Sequence, residues 1–281
     1  MVVVDNASWD GSASELEDLE LPLSVIRNAE NRGFAAACNQ GVAGSRADYL
    51  LFLNPDTRLF KDSLTKPVGF LDQPSSQAVG IVGIQLVDEN GEIIRTCAWF
   101  PTPVRFFTKM LGLDRLFPRV FPSHFMLEWN HEENRKVDHV IGAFFLVRRS
   151  LFESLNRFDE RFFVYLEDLD FSCSAHKAGW SSYYLAEAQA FHKGGGTSEK
   201  IKAARLFYFF QSRIIYGYKH FGWLAATGLM LGTLLLEPFA RFALAFVRCS
   251  KEEIGETFKG YCMLWGALPK LLKATSKQGD A

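Results

Sequence analysis

Cysteine is scarce and scattered. The chain has five, at Cys38, Cys97, Cys173, Cys249 and Cys262, and none form a CxxC pair. Neither a disulfide framework nor a zinc site is expected from such spacing, and a reducing cytoplasmic setting is the simplest compartment for it. Excess charge is also lacking. A formal net charge of −1 removes any global argument for nucleic-acid binding. No GxGxxG turn is present, although a dinucleotide-dependent oxidoreductase should carry one after its first strand. Met1 leads straight into a strand-like run with polar motifs, so no secretory leader is expected. Internal repeats and low-complexity tracts are absent as well.

What is present is hydrophobic and aromatic. With 281 residues, 48% of them hydrophobic and 26 of them phenylalanine, the chain can bury one sizeable core plus an appendage. Apolar runs at 2–4, 23–26, 49–53, 79–84 and 140–147 read as strands. The Ala- and Gly-rich stretch 33–47 reads as a helix opening at a glycine turn. Such alternation implies βαβ units and a mostly parallel α/β sheet. Residues 97–137, broken by Pro101, Pro103, Pro118 and Pro122, read as a long insertion with short helices near the acceptor side.

From about residue 198 the pattern becomes helical. Lys200, Lys202, Arg205, Arg213 and Lys219 are interleaved with aromatics, and Phe221 to Leu236 is uncharged over 16 residues. A spanning helix needs roughly 20 apolar residues, so this run is slightly short. A basic aromatic helix followed by an apolar one suits a segment lying in the membrane interface. A buried helical hairpin and a true span are the other readings.

Carboxylates close several apolar runs. Val2-Val3-Val4 ends in Asp5-Asn6-Ala7-Ser8, Tyr49 to Leu53 ends in Asn54-Pro55-Asp56-Thr57, and Val164-Tyr165-Leu166 meets Glu167-Asp168-Leu169-Asp170. Ligands of open α/β sheets bind outside the carboxyl ends of strands. Acids there can hold ribose, base or metal, and one can act as a general base. Asp5 can accept hydrogen bonds from a base or ribose, and Asp10-Gly11-Ser12 can turn the chain and cap a helix. In Asn31-Arg32-Gly33-Phe34-Ala35-Ala36-Ala37-Cys38-Asn39-Gln40-Gly41, Gly33 permits a tight turn and the small residues permit close approach. Asn31 and Asn39 supply polar contacts, or the stretch is simply a tightly packed helix. Asp56 is a hard oxygen ligand of the kind magnesium and manganese prefer, or a turn residue. The Glu167–Asp168–Asp170 cluster would raise a carboxylate pKa, and it also suits an acid-rich helix N-terminus.

In this order, VVVDNASWDGS, NRGFAAACNQG and LNPDT resemble family 2 glycosyltransferases of the GT-A fold, most closely their rhamnosyltransferase-like members. GAFFLVRRSLFESLNRFDERFFVYLEDLDFSCSAHKAGW resembles the family's acceptor-side block, and AFHKGGGTS the loop whose His often completes a metal site. The likeness covers about residues 1–220. It implies a GT-A nucleotide-sugar-binding domain at 1–197 and a membrane-associating helical segment at 198–281. By resemblance Asp168 is the catalytic base. Asp5, Asn6, Asn31, Gly33, Asn39, Asn54, Asp56 and Arg213 belong to the donor side, with membrane headgroups an equal target for Arg213. Gly142, Glu167 and Asp170 fall on the acceptor side, and Asp56 and His192 hold Mg2+ or Mn2+. Asn54 stands where relatives carry the first Asp of a D-x-D motif. The implied reaction is inverting transfer from dTDP-rhamnose or a UDP-hexose to a glycan or lipid-linked acceptor, in cell-surface polysaccharide synthesis. It would take place peripherally at the cytoplasmic face of the plasma membrane, without nucleic acid. Relatives begin with one more strand and helix, so the domain is expected to be N-terminally incomplete. The alternative is an inactive homologue serving as a membrane-associated scaffold.

Overall fold

The computed structural model describes residues 1–11, 13, 16, 22–194 and 202–276. Ser12, Gly195, Gly196, Lys200 and the 197/198 boundary lie outside the described residues. β1 (Val2–Asp5) and β2 (Ser24–Arg27) form a parallel pair. The chain then turns at Gly33, where φ is +88°, into α1 (Phe34–Gly41). Glycine is required at that turn: a Cβ would sit 2.5 Å from the Phe163 carbonyl oxygen. The helix expected over 33–47 stops early, because the chain leaves helical geometry after Val42 and Gly44 takes φ +76°.

β3 (Tyr49–Leu53), β4 (Thr57–Leu59), α2 (Thr65–Leu71) and a 3-10 turn at Pro74–Ser76 lead to β5 (Val79–Val87). Every residue of β5 is buried, which marks it as a central strand. Two short strands, β6 (Ile93–Ile94) and β7 (Cys97–Ala98), precede the insertion. The insertion carries α3 (Pro103–Met110) and α4 (Leu113–Leu116), as its proline-broken pattern predicts. Thr102 caps α3 by accepting a hydrogen bond from the Arg105 N–H. Then come β8 (Arg135–Val137), β9 (His139–Val140), β10 (Phe144–Arg148), α5 (Arg149–Ser154), α6 (Glu167–Lys177) and β11 (Ser181–His192).

The main sheet runs in the order β3-β10-β5-β11-β4, with β6 beside β5 and β8 beside β11. It is mixed rather than mostly parallel. β11 runs parallel to β5, whereas β10 is antiparallel to both β3 and β5, and β4 is antiparallel to β11. A strand covered on both faces reads as a continuous apolar run whichever way its neighbours point, so the runs located the strands but not their directions. The run at 140–147 is also two strands, broken around Gly142. One face of the sheet packs Phe52, Phe145, Phe152, Phe158 and Phe171 into a ring cluster, with centroids 4.8 to 6.1 Å apart. Such pairs contribute beyond their buried area.

The last zone is helical, as expected: α7 (Lys202–His220), α8 (Trp223–Leu231), a π-helical turn at Gly232–Leu236, α9 (Glu237–Val247) and α10 (Lys251–Ser276). α7 is not a surface helix. Phe210, Ile214, Ile215 and Tyr216 are buried in one cluster with Phe106 and Met110 of α3, Phe162, and Leu169 of α6. Lys202 pairs with Glu252 at 2.8 Å. The exposed apolar side chains lie instead on the continuous helix Trp223–Val247, whose mean hydropathy is 1.6 and which is long and apolar enough to cross a membrane by length and composition.

Candidate active site

Asp168 stands at the first turn of α6. Tyr165 and Leu166 both adopt left-handed backbone conformations, φ +70° and +65°, and this sharp turn aims the start of α6 at the break between β9 and β10. Outliers of that kind cluster at functional sites. Asp168 Oδ2 accepts the Gly142 N–H at 2.6 Å, and Oδ1 accepts the Leu169 N–H at 2.8 Å. A Cβ at Gly142 would lie 3.0 Å from Asp168 Oδ2, so glycine is what lets the strand break approach the carboxylate. The Asp168 side chain remains 18% exposed and reachable.

His139, missed in the sequence, is the buried neighbour. Its Nε2 lies 3.7 Å from Asp168 Oδ2, and its Nδ1 is 3.0 Å from the Ser172 hydroxyl. Burial pushes its pKa down, against the pull of Asp168 and Asp138, so the imidazole is neutral at pH 7. Glu167 is only 6% exposed. Burial and then the Asp168 charge raise its pKa well above the ordinary value. Its Oε2 has no hydrogen-bond partner.

Asp170 belongs elsewhere. It is buried and receives Lys219 Nζ at 2.7 Å and His220 Nε2 at 2.7 Å, so it ties α6 to the end of α7. Lys219 also holds Asp159 at 2.9 Å, beside Arg161. Burial opposes ionisation there, but those two cations hold the Asp159 carboxyl below the usual range.

The second corner lies where β4 meets the end of β11, with Thr57 opposite His192. His192 Nε2 is 3.3 Å from Asp56 Oδ1, and the Lys193 N–H donates to the Asp56 carbonyl at 3.1 Å. One carboxylate in the turn before β4 and one imidazole at the end of β11 suit a divalent cation that takes its remaining ligands from phosphate and water. Among the described residues no group of three or more His, Cys, Asp or Glu side chains is arranged for a metal. The two corners are joined. The Asn54 N–H donates to the Ala143 carbonyl at 3.1 Å, and the Thr57 hydroxyl reaches the same oxygen at 3.3 Å. Gly142 and Ala143 are therefore consecutive residues, one holding Asp168 and the other the Asn54–Asp56 turn.

The third corner contains most of the expected donor-side residues, and several of them are already engaged. Asp5 is half-buried. Its carboxylate accepts the Ser8 N–H at 2.8 Å, and Ser8 lowers its pKa, so it remains available to a ligand. Asn6 does not. Its Nδ2 donates to Asn31 Oδ1 and the Gly33 carbonyl, and its Oδ1 accepts from Asn28 Nδ2 and the Arg32 N–H. Asn31 Oδ1 also accepts the Gly33 N–H at 3.0 Å. The Asn6 amide and the Asn31 oxygen thus build the turn at Gly33. Asn39 is corrected too. Its amide is buried against the Phe158 backbone and Glu160, pinning α1 to the 158–160 segment. Asn28 and Gln40 exchange two 2.9 Å hydrogen bonds and were missed, although Asn28 closes β2 as Asp5 closes β1.

Arg213 lies outside all three corners. It is 1% exposed, bonded to Glu237 and to the Thr233 hydroxyl, the latter at 2.8 Å. It serves the α7–α9 packing and reaches neither a phosphate nor a headgroup.

The sequence and the fold are similar to those of known proteins. The Glycosyl transferase family 2 profile matches residues 1–155. N-acetylglucosaminyl-diphospho-decaprenol L-rhamnosyltransferase of Mycobacterium tuberculosis is 27% identical over 237 residues, covering 79% of this chain and 76% of that protein. Rhamnosyltransferase WbbL of Escherichia coli K12 is 28% identical over 148 residues, 52% of each chain. Among solved structures, the mannosyltransferase PcManGT of Pyrobaculum calidifontis, in complex with GDP-Man and Mn2+, aligns with a TM-score of 0.50 at 18% identity, over 99% of this chain and 76% of its own. TarS 1–349 of S. aureus aligns at 0.51 and 15% identity, over 99% and 72%. The fold is the GT-A type. With the profile spanning more than half of its residues, the chain belongs to glycosyl transferase family 2 and is a glycosyltransferase.

Proposed function

We propose that the chain transfers a sugar, with inversion, from a nucleotide-sugar donor to a lipid-linked glycan acceptor in cell-surface polysaccharide synthesis. The single observation that carries this is the link from Asp168 through Gly142 and Ala143 to the Asn54–Asp56 turn and His192. That link sets a reachable carboxylate beside an Asp–His pair. In the proposed reaction Asp168 takes the proton of the acceptor hydroxyl as the hydroxyl oxygen bonds to the anomeric carbon, and the bond to the nucleoside diphosphate breaks. His139, neutral and buried, fixes the side of Asp168 turned from solvent. Asp5 holds the base or ribose, and the Gly33 turn shapes the floor beneath it. Asp56 and His192 would hold Mg2+ or Mn2+, which when bound neutralises charge on the leaving diphosphate. The M. tuberculosis and E. coli relatives are both named rhamnosyltransferases, which favours dTDP-rhamnose over UDP-hexoses.

The lipid-linked acceptor and a peripheral place at the cytoplasmic membrane face rest on helix Trp223–Val247. Its charged Glu237 is turned inward onto Arg213 and Arg241, while Trp223, Leu224, Leu236 and Phe239 are exposed. One packed face and one bare apolar face suit a helix lying in the interface. The scaffold alternative draws on one observation: β1 and β2 pair with each other and not with the main sheet, so the Asp5 corner is carried by α1 rather than by a shared ladder.

The test is transfer from dTDP-rhamnose and from UDP-hexoses to a polyprenyl-diphospho-sugar, for wild type and Asp56→Ala. Transfer by wild type that falls by about 10²-fold or more in the variant is expected. No transfer or donor hydrolysis with any of these donors would favour the scaffold.

A further inference from the structure

The insertion between β7 and β9 is docked on the apolar helix. Phe107 and Met110 of α3 lie against Gly228 and Gly232, where a Cβ would meet the Phe107 ring at 3.5 and 3.1 Å and Met110 Sδ at 3.0 Å. Phe106 and Met110 are buried, so α3 is anchored. Beyond it the chain exposes what a soluble loop would hide. Leu116 is 70% exposed, Phe117 56% and Val120 69%, with Leu111 exposed just before them. Exposed Arg115 and Arg119 alternate with these side chains. Asp114 is the only acid from 103 to 127, against Arg105, Lys109, Arg115 and Arg119, and one of its carboxylate oxygens is buried.

We infer that residues 111–121 are a wedge that enters the headgroup layer of an anionic lipid bilayer beside helix Trp223–Val247. This rests on the membrane reading of that helix and extends it to a second element. The occupant is argued from charge. Apolar side chains flanked by arginines match an acyl boundary beneath anionic headgroups, whereas a second copy of the chain would set Arg115 and Arg119 against their own kind. The wedge is also wired to the site. β7 pairs with β9, Ala98 opposite His139, and the Phe100 N–H donates to Asp138 at 2.8 Å. The insertion thus starts one strand pair from the histidine beside Asp168. A wedge held there would set the depth at which a lipid-linked acceptor meets the base.

The experiment is hydrogen–deuterium exchange of the full chain with phosphatidylglycerol vesicles, with phosphatidylcholine vesicles and without lipid. It is paired with vesicle co-sedimentation of a Leu116→Glu/Phe117→Glu variant. Both side chains are exposed, so the melting temperature of the variant should match wild type. Protection of 111–121 with phosphatidylglycerol, and binding at least about tenfold weaker in the variant, are the expected results. Vesicle binding with unchanged exchange at 111–121 would overturn the wedge and leave the helix reading standing. No vesicle binding at all would overturn both. Protection that grows with protein concentration in the absence of lipid would make the segment a contact between copies and overturn the proposal.

Discussion

Glu167 and Asp168 are adjacent in sequence and opposite in environment. Asp168 keeps a face to solvent while Glu167 is sealed in with an unpartnered oxygen. Between the ordinary glutamate value of 4.5 and its raised folded value, Glu167 stays protonated in the fold and ionises in the unfolded chain. The folded state binds more protons in that window, so stability falls as pH rises through it. Glu167→Gln removes this slope. Its unfolding free energy relative to wild type should therefore rise as pH increases above the ordinary glutamate value of 4.5, as read by urea melts at several pH values. A flat difference would mean that Glu167 is ionised in the fold. At this scale the sequence marks where apolar runs end but not what each side chain there touches. Asp5, Asp56 and Asp168 stand at or just past the ends of such runs, whereas Gly142 and His192 enter only through the family resemblance. Asn6, Asn31 and Asn39 sit in the same motifs, but their amides bond to backbone groups and to other side chains of the protein, which no residue pattern reveals. His139 carried no signal because it lies two residues before the break and functions by burial.

Among the elements, α7 departs from the role expected of it. α7 alternates basic and aromatic residues, which reads as an interfacial face. Three of its cations are instead spent on protein acids: Lys202 on Glu252, Lys219 on Asp159 and Asp170, and Arg213 on Glu237. Pairing of this kind depends on residues 24 to 60 positions away, beyond what a local window sees. Arg213→Ala should then act on stability rather than on donor affinity. It leaves Glu237 buried with only the partly exposed Arg241, and loss of one partner of a buried pair costs about 3–5 kcal/mol. Urea unfolding checks the size. Replacing Arg213 with Met and Glu237 with Leu together should recover much of the loss. A folded Arg213→Ala protein with weakened nucleotide binding would instead return Arg213 to the donor side.

On the scale of the whole molecule, one chain combines two corners on a mixed sheet, a third on the separate β1–β2 pair, and a helical layer that shares a core with the Asp168 turn. Leu169 and Phe162, flanking the Asp168 turn, are buried with Phe210 and Ile214 of α7, so the site and the apolar helices are coupled through packing. The central claim is that Asp168 is the base of sugar transfer. Its most direct test is steady-state transfer by Asp168→Asn with the preferred donor and a polyprenyl-diphospho-sugar acceptor, alongside calorimetric donor binding. A fall in kcat of about 10²-fold or more with donor affinity unchanged is predicted. Turnover near that of wild type would contradict the claim.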